Sequence, residues 1–168
     1  MKINDKINKK EIKPKQLKSD FQNHYLKNYD VGLVTLAINR EVLVSRKLKF
    51  NPNFNIIGDF DIVMKIVNNS NVTIIEKPLA IYRVHNESFT SKNFNMMAKE
   101  LTYWHNENSY INKLSNYDKF LQKIVFYDAI GELKKKNLYN FFYKIKKVFF
   151  TVYFFKGMYL FLKTFISR

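Results

Sequence analysis

The chain has 168 residues, 46% of them hydrophobic, which is enough for one proper core and too little for two catalytic domains. Cysteine is absent, which excludes disulfides and thiolate zinc sites and fits a reducing compartment. The net charge of +15 is carried by the flanks: residues 1–18 hold a net +5 and residues 133–168 nine basic groups without an acid, while residues 19–132 set thirteen basic against twelve acidic groups. A nucleic-acid domain places its cations on the folded face that follows the phosphates, so that class of partner is set aside.

Residues 1–18 are polar and lysine-rich, with Pro14 interrupting any helix, and they lack the apolar core of a secretory signal. "VGLVTLAI", 31–38, is β-branched and apolar and predicts a buried strand followed by a short helix. "NPNF", 51–54, is turn chemistry. From Asp59 the apolar positions Phe60, Val63, Met64 and Val67 follow helical spacing until "NNSN" ends the run. "VTIIE", 72–76, and "LAIYRV", 79–84, predict two strands parted by Lys77 and Pro78. Beyond Ser91 the pattern is helical to the end, with Met96, Met97, Leu101 and Trp104 as a core stripe and Tyr117, Leu121, Ile124 and Asp128 on another helical face. His24 and His105 have no partner pattern and read as surface residues.

Asp59 and Asp61, at the point where "NIIGDFDIVMKI" turns helical, are the first candidates for chemistry. Three readings are open: an N-cap with a first-turn acid, a catalytic base with a structural neighbour, or a metal-chelating pair. On a helix, positions two apart diverge by about half a turn, which makes chelation by the pair the weakest of the three.

The ordered set Phe50, Phe54, Asp59, Phe60, Asp61, Ile62, Lys65 and Ile66, followed by Pro78, Leu79, Ala80, Tyr82, Arg83, His85, Asn86 and Ser88, resembles the acceptor half of family 2 glycosyltransferases. Gly58 stands where that family usually has Glu. The resemblance covers about Tyr25 to Ser91 and implies an α/β fold, a truncated mixed sheet of the GT-A type with helices, followed by a helical C-terminal region. It implies that Asp59 is the general base on the acceptor hydroxyl, that Asp61 is a cap or orienting partner, and that Arg83 and His85 are candidates for the donor diphosphate or a metal. It further implies a nucleotide-sugar donor, a glycan or lipid-linked acceptor, and a divalent cation, Mg or Mn, in the complete enzyme, with none expected for this chain alone. The nucleotide half would need roughly a hundred residues before Tyr25. The expectation is therefore a fragment of a longer transferase, or one whose donor half is supplied by another polypeptide.

The chain so divides into a basic lead-in (1–24), an acceptor-side segment (25–91), a helical extension (92–133) and a basic aromatic tail (134–168). In "VFFTVYFFKGMYLFLKTFI", 148–166, Lys156, Gly157 and Lys163 interrupt any transmembrane span, and six lysines lie upstream between 134 and 147. Lys156 and Lys163 share a helical face, the pattern of an amphipathic helix on an anionic membrane surface, the other reading being a helix packed against the body of the missing half. The tail places the protein on the cytoplasmic face of the cell membrane, either as part of a transferase or as a non-catalytic membrane-associated interaction module.

Overall fold

The computed structural model describes residues 20–68, 70–81 and 88–166, and among these every regular element is helical. In chain order they are α1 (Phe21–Lys27), α2 (Arg40–Ser45), α3 (Gly58–Val67), α4 (Phe89–Lys92), α5 (Phe94–Glu107), α6 (Tyr117–Lys134), α7 (Leu138–Ile145) and α8 (Val152–Ile166), with short 3-10 turns between some of them. No strand or sheet forms among the described residues, so the expected α/β mixed sheet is not the fold of this chain.

The predicted strands fail for a definite reason. Residues 31–38 fold into a 3-10 turn, Leu33–Thr35, whose Leu33 and Val34 face solvent, followed by α2 as expected. Residues 72–76 and 79–81 have no regular structure, and Ile81 is 94% exposed; residues 82–84 lie outside the described residues. A β-branched run becomes a strand only when a neighbour supplies its ladder of hydrogen bonds and a face to pack on. The described residues offer these runs neither.

The predicted turn and helix at 51–67 are present. Phe54 N–H donates to Asn51 O at 3.2 Å, and Asn53 N–H to Asn51 Oδ1 at 3.0 Å. In α3 the residues Phe60, Ile62, Val63 and Met64 are buried, each contributing about 1.5–3 kcal/mol of apolar burial. They form the first core with Tyr25 and Leu26 of α1, Leu101 and Trp104 of α5, Ile111, and Phe120 of α6. Phe60 sits at its centre, edge-on to Trp104 at 4.8 Å and to Tyr29 at 5.3 Å, and stacked on Phe120 at 6.2 Å.

Helix α6 is the spine. Its first half closes the first core through Phe120, Ile124 and Tyr127, and its second half opens a second one through Ala129, Ile130 and Leu133, packed with Phe141 and Ile145 of α7 and Val148. Two glycines permit the closest approaches. A Cβ at Gly131 would lie within 2.3 Å of the Asn95 amide carbon of α5, and one at Gly157 of α8 would lie 2.6 Å from Ile145 Cδ1. Helix α6 ends with Lys136 at φ 61°, where Lys136 N–H reaches Leu133 O and Asn137 N–H reaches Glu132 O. This is a Schellman closure with lysine in the usual glycine position.

The tail helix packs against α6 and α7 through Tyr153, Phe154, Leu160 and Phe161. It is therefore anchored to the body of this chain along one side. Lys144 pins α7 to α6, its Nζ lying 3.0 Å from Asp128 and 3.2 Å from Glu132 Oε1. The turn between α7 and α8 carries Phe150 at φ 62°, which costs a bulky side chain about 1 kcal/mol or more. No helix among the described residues is long and apolar enough to cross a membrane.

Candidate functional site

The start of α3 is built by a residue from far along the chain. Ile57 precedes the helix without a side-chain cap, and the backbone N–H groups of Asn55, Ile56 and Ile57 converge on one carboxylate, Glu100 of α5. Asn55 N donates to Glu100 Oε1 at 2.9 Å, and Ile56 N and Ile57 N donate to Oε2 at 2.9 and 3.1 Å. Orphan N–H groups at a helix start attract an anion. Here the chain supplies its own, and an external phosphate finds those donors taken.

Asp59 and Asp61 lie in the first turn of α3 and point to different neighbours. Asp61 is 1% exposed, accepts from Trp104 Nε1 at 3.0 Å through Oδ1, and pairs with Lys65 Nζ at 2.7 Å through Oδ2. Both its oxygens are engaged, so it orients Trp104 and Lys65. Asp59 is half-buried and accepts a hydrogen bond from the adjacent Phe60 N–H at 2.7 Å. Burial pushes its carboxyl above the usual range, against the lowering effect of nearby backbone N–H groups and of Tyr29. Tyr29 Oη is buried beside it without a hydrogen bond of normal length. Burial first, and then the Asp59 charge, push that hydroxyl far up.

The divergence of the two aspartates decides the chelation reading. With Asp61 engaged by Trp104 and Lys65 and Asp59 turned toward Tyr29, the pair does not fit a shared divalent cation. Arg83 and His85, the sequence candidates for diphosphate or metal, lie outside the described residues. The N-cap reading of Asp59 is corrected as well, because the N-cap position is Ile57 and Asp59 stands inside the first turn.

A groove of about 240 Å³ opens above Asp61, lined by Asn51, Phe54, Lys65, Tyr103, Trp104, Glu107 and Asn108. Phe54 and Tyr103 form an edge-on aromatic wall at 6.0 Å. His105 is not a free surface residue: its Nε2 is 2.8 Å from Tyr117 Oη, and the rings stack at 5.6 Å. His24 likewise lies 3.4 Å from Asp30.

Sequence reasoning missed Glu100, although a signal existed. It falls inside the apolar stripe of Met97, Leu101 and Trp104, and an acid on a buried helix face needs partners that are themselves buried. Comparison of the chain with protein-family models, with curated proteins and with solved structures finds no match.

Proposed function

We propose that this chain is the acceptor-side part of a sugar-transferring enzyme, with Asp59 as the general base, held at the cytoplasmic face of the membrane. The observation that supports this reading is the contrast between the two aspartates. Asp61 is fully engaged, whereas Asp59 is half-buried, has no cationic partner among the described residues, and has a raised pKa that makes it a better base. In transfer, the Asp59 carboxylate takes the proton of an acceptor hydroxyl as that oxygen bonds to the anomeric carbon and the nucleoside diphosphate leaves with the bonding pair. The ordered residues from Phe50 to Ser88 that resemble family 2 transferases support the same assignment.

The test is complementation. Cells lacking the gene receive wild type, Asp59→Asn or Asp61→Asn, and their surface glycans and the level of folded protein are both measured. Asp59→Asn should fold at wild-type level and lower product formation by roughly a hundredfold. Asp61→Asn should lose about 1–2 kcal/mol of stability and retain activity in proportion to the folded protein. Full restoration of glycan by folded Asp59→Asn removes the assignment.

A further inference from the structure

Helix α8 is apolar on two sides, and the fold covers one of them. Tyr153, Phe154, Gly157, Leu160 and Phe161 turn inward. Val152, Phe155, Tyr159 and Leu162 are exposed at helical spacing, with Lys156 and Lys163 in the same stripe. The end of α7 repeats the pattern with exposed Tyr139, Phe142 and Tyr143, followed by Lys146 and Lys147. Between the two helices the chain turns through Phe149 and Phe150, whose rings meet at 4.2 Å. Phe150 is 85% exposed and held at positive φ.

We infer that the α7–α8 turn is a wedge that enters an anionic lipid surface, Phe150 at its tip and Lys146, Lys147 and Lys156 around it. The inference rests on the peripheral placement proposed above and specifies the partner and the residues that meet it. Charge argues for the occupant. No acid occurs from 133 to 168, and among the described residues only Lys135 and Lys144 of this stretch pair with acids, both on α6. Lys146 and Lys147 lie 5.0 and 4.9 Å from the Tyr143 ring, and Lys156 lies 5.8 Å from the Tyr153 ring. Exposed rings interspersed with lysines suit the headgroup level of a bilayer, where rings enter the acyl boundary and ammonium groups stay with phosphate. A protein partner would have to answer the cations with acids and the rings with a groove. An anionic bilayer answers both without shape matching. The strained Phe150 backbone is the second observation, because a bulky residue held in the left-handed region to present its ring to solvent is a local conflict of the kind found at functional sites.

Phe150→Gly separates the wedge from a structural role, since it removes the ring and relaxes the backbone together. The full chain is sedimented with phosphatidylcholine vesicles with and without phosphatidylglycerol, and its urea midpoint is measured in parallel. Wild type should bind the anionic vesicles and bind neutral ones more weakly. Phe150→Gly should unfold at higher urea yet bind about tenfold more weakly. The triple variant Lys146→Gln, Lys147→Gln, Lys156→Gln should lose roughly a hundredfold on anionic vesicles. Undiminished binding by Phe150→Gly sinks the wedge and leaves peripheral placement standing. A chain that ignores both vesicles sinks the wedge and the placement but leaves Asp59, which is read in glycan formation. A dimer in sedimentation velocity that Phe150→Gly dissolves, without vesicle binding, assigns the patch to a second copy and overturns the lipid reading.

Discussion

The two cores of this molecule are built on opposite electrostatic terms. Around the first, the carboxylates are answered within the chain: Glu100 holds three backbone N–H groups ahead of α3, and Asp61 holds Trp104 and Lys65. Around the second, Lys144 is matched by Asp128 and Glu132, but the lysines and rings beyond it face outward. Among the described residues, the first region answers Glu100 and Asp61 from within the chain, and the second leaves lysines and rings on its outer face. In the first, Asp59 is a half-buried carboxylate without a cationic partner among the described residues, which makes it a place to look for chemistry, whereas in the second the whole outer face is a place to look for binding.

The largest effect should come from dissolving the self-contained character of the first region. Glu100→Ala strips a buried anion, 8% exposed, from three converging backbone N–H donors, of which that of Ile57 is on a buried residue. The loss of three charge-assisted bonds, one of them leaving the N–H of the buried Ile57 without its acceptor, predicts a loss of about 3 kcal/mol or more in urea unfolding. The reorganised start of α3 should also release Asp59 from its present surroundings. Glu100→Gln, which keeps an acceptor, should lose less. Equal and small losses in both would mean that the N–H groups find other acceptors.

What was legible in the sequence divides along the same line. Local patterns predicted well: the Asn51 turn, the α3 stripe from Phe60 to Val67, the Leu101 and Trp104 side of α5, and the helical C-terminal region all follow from spacing a few residues apart. Long-range partners were not legible. The Glu100 nest joins positions more than forty residues apart, and the Lys144 pin joins two helices. The strands failed for the same reason, because a strand depends on a distant ladder that no local run contains.

The next effect is smaller and concerns a charge the first region keeps under cover. Lys123 on α6 is 8% exposed, donates to Lys27 O at 3.2 Å, and is lowered by burial from 10.5 to about 8. A base whose folded pKa lies below its unfolded one opposes folding while charged, and the opposition fades as pH rises between the two values. Lys123→Met should therefore be more stable than wild type by about 1 kcal/mol near neutral pH, after allowing for the lost hydrogen bond. That advantage should shrink between pH 8 and 10.5 as the folded wild type sheds its proton. Paired urea melts along this range cancel the other groups that titrate there. An advantage that stays flat with pH would show that the ammonium is solvated, and one that grows would show that the fold favours the charge.

The smallest effect on stability carries the sharpest information about Asp59. Tyr29 Oη is buried without a hydrogen bond of normal length, so removing the oxygen abandons only a weak contact with Asp59. Burial of an unpaired hydroxyl is itself unfavourable, and Tyr29→Phe should change stability by less than about 0.5 kcal/mol in either direction. The ring still meets Phe60 at 5.3 Å and Tyr25 at 6.0 Å, so packing is kept. The carboxyl next to it should nevertheless respond. Tyr29 acts on Asp59 to favour the ionised form, opposing the burial that raises its pKa, and its loss leaves burial less opposed. The Asp59 titration, followed by the carboxyl carbon shift in NMR, should move further upward in Tyr29→Phe. Because Asp59 ionises less readily in the folded chain than in the unfolded one, its contribution to stability is fully present below the unfolded pKa and is lost as pH rises through the folded value. The variant should extend that window upward. A downward shift would mean that Tyr29 opposes the charge, and the environment assigned to the base would have to be redrawn.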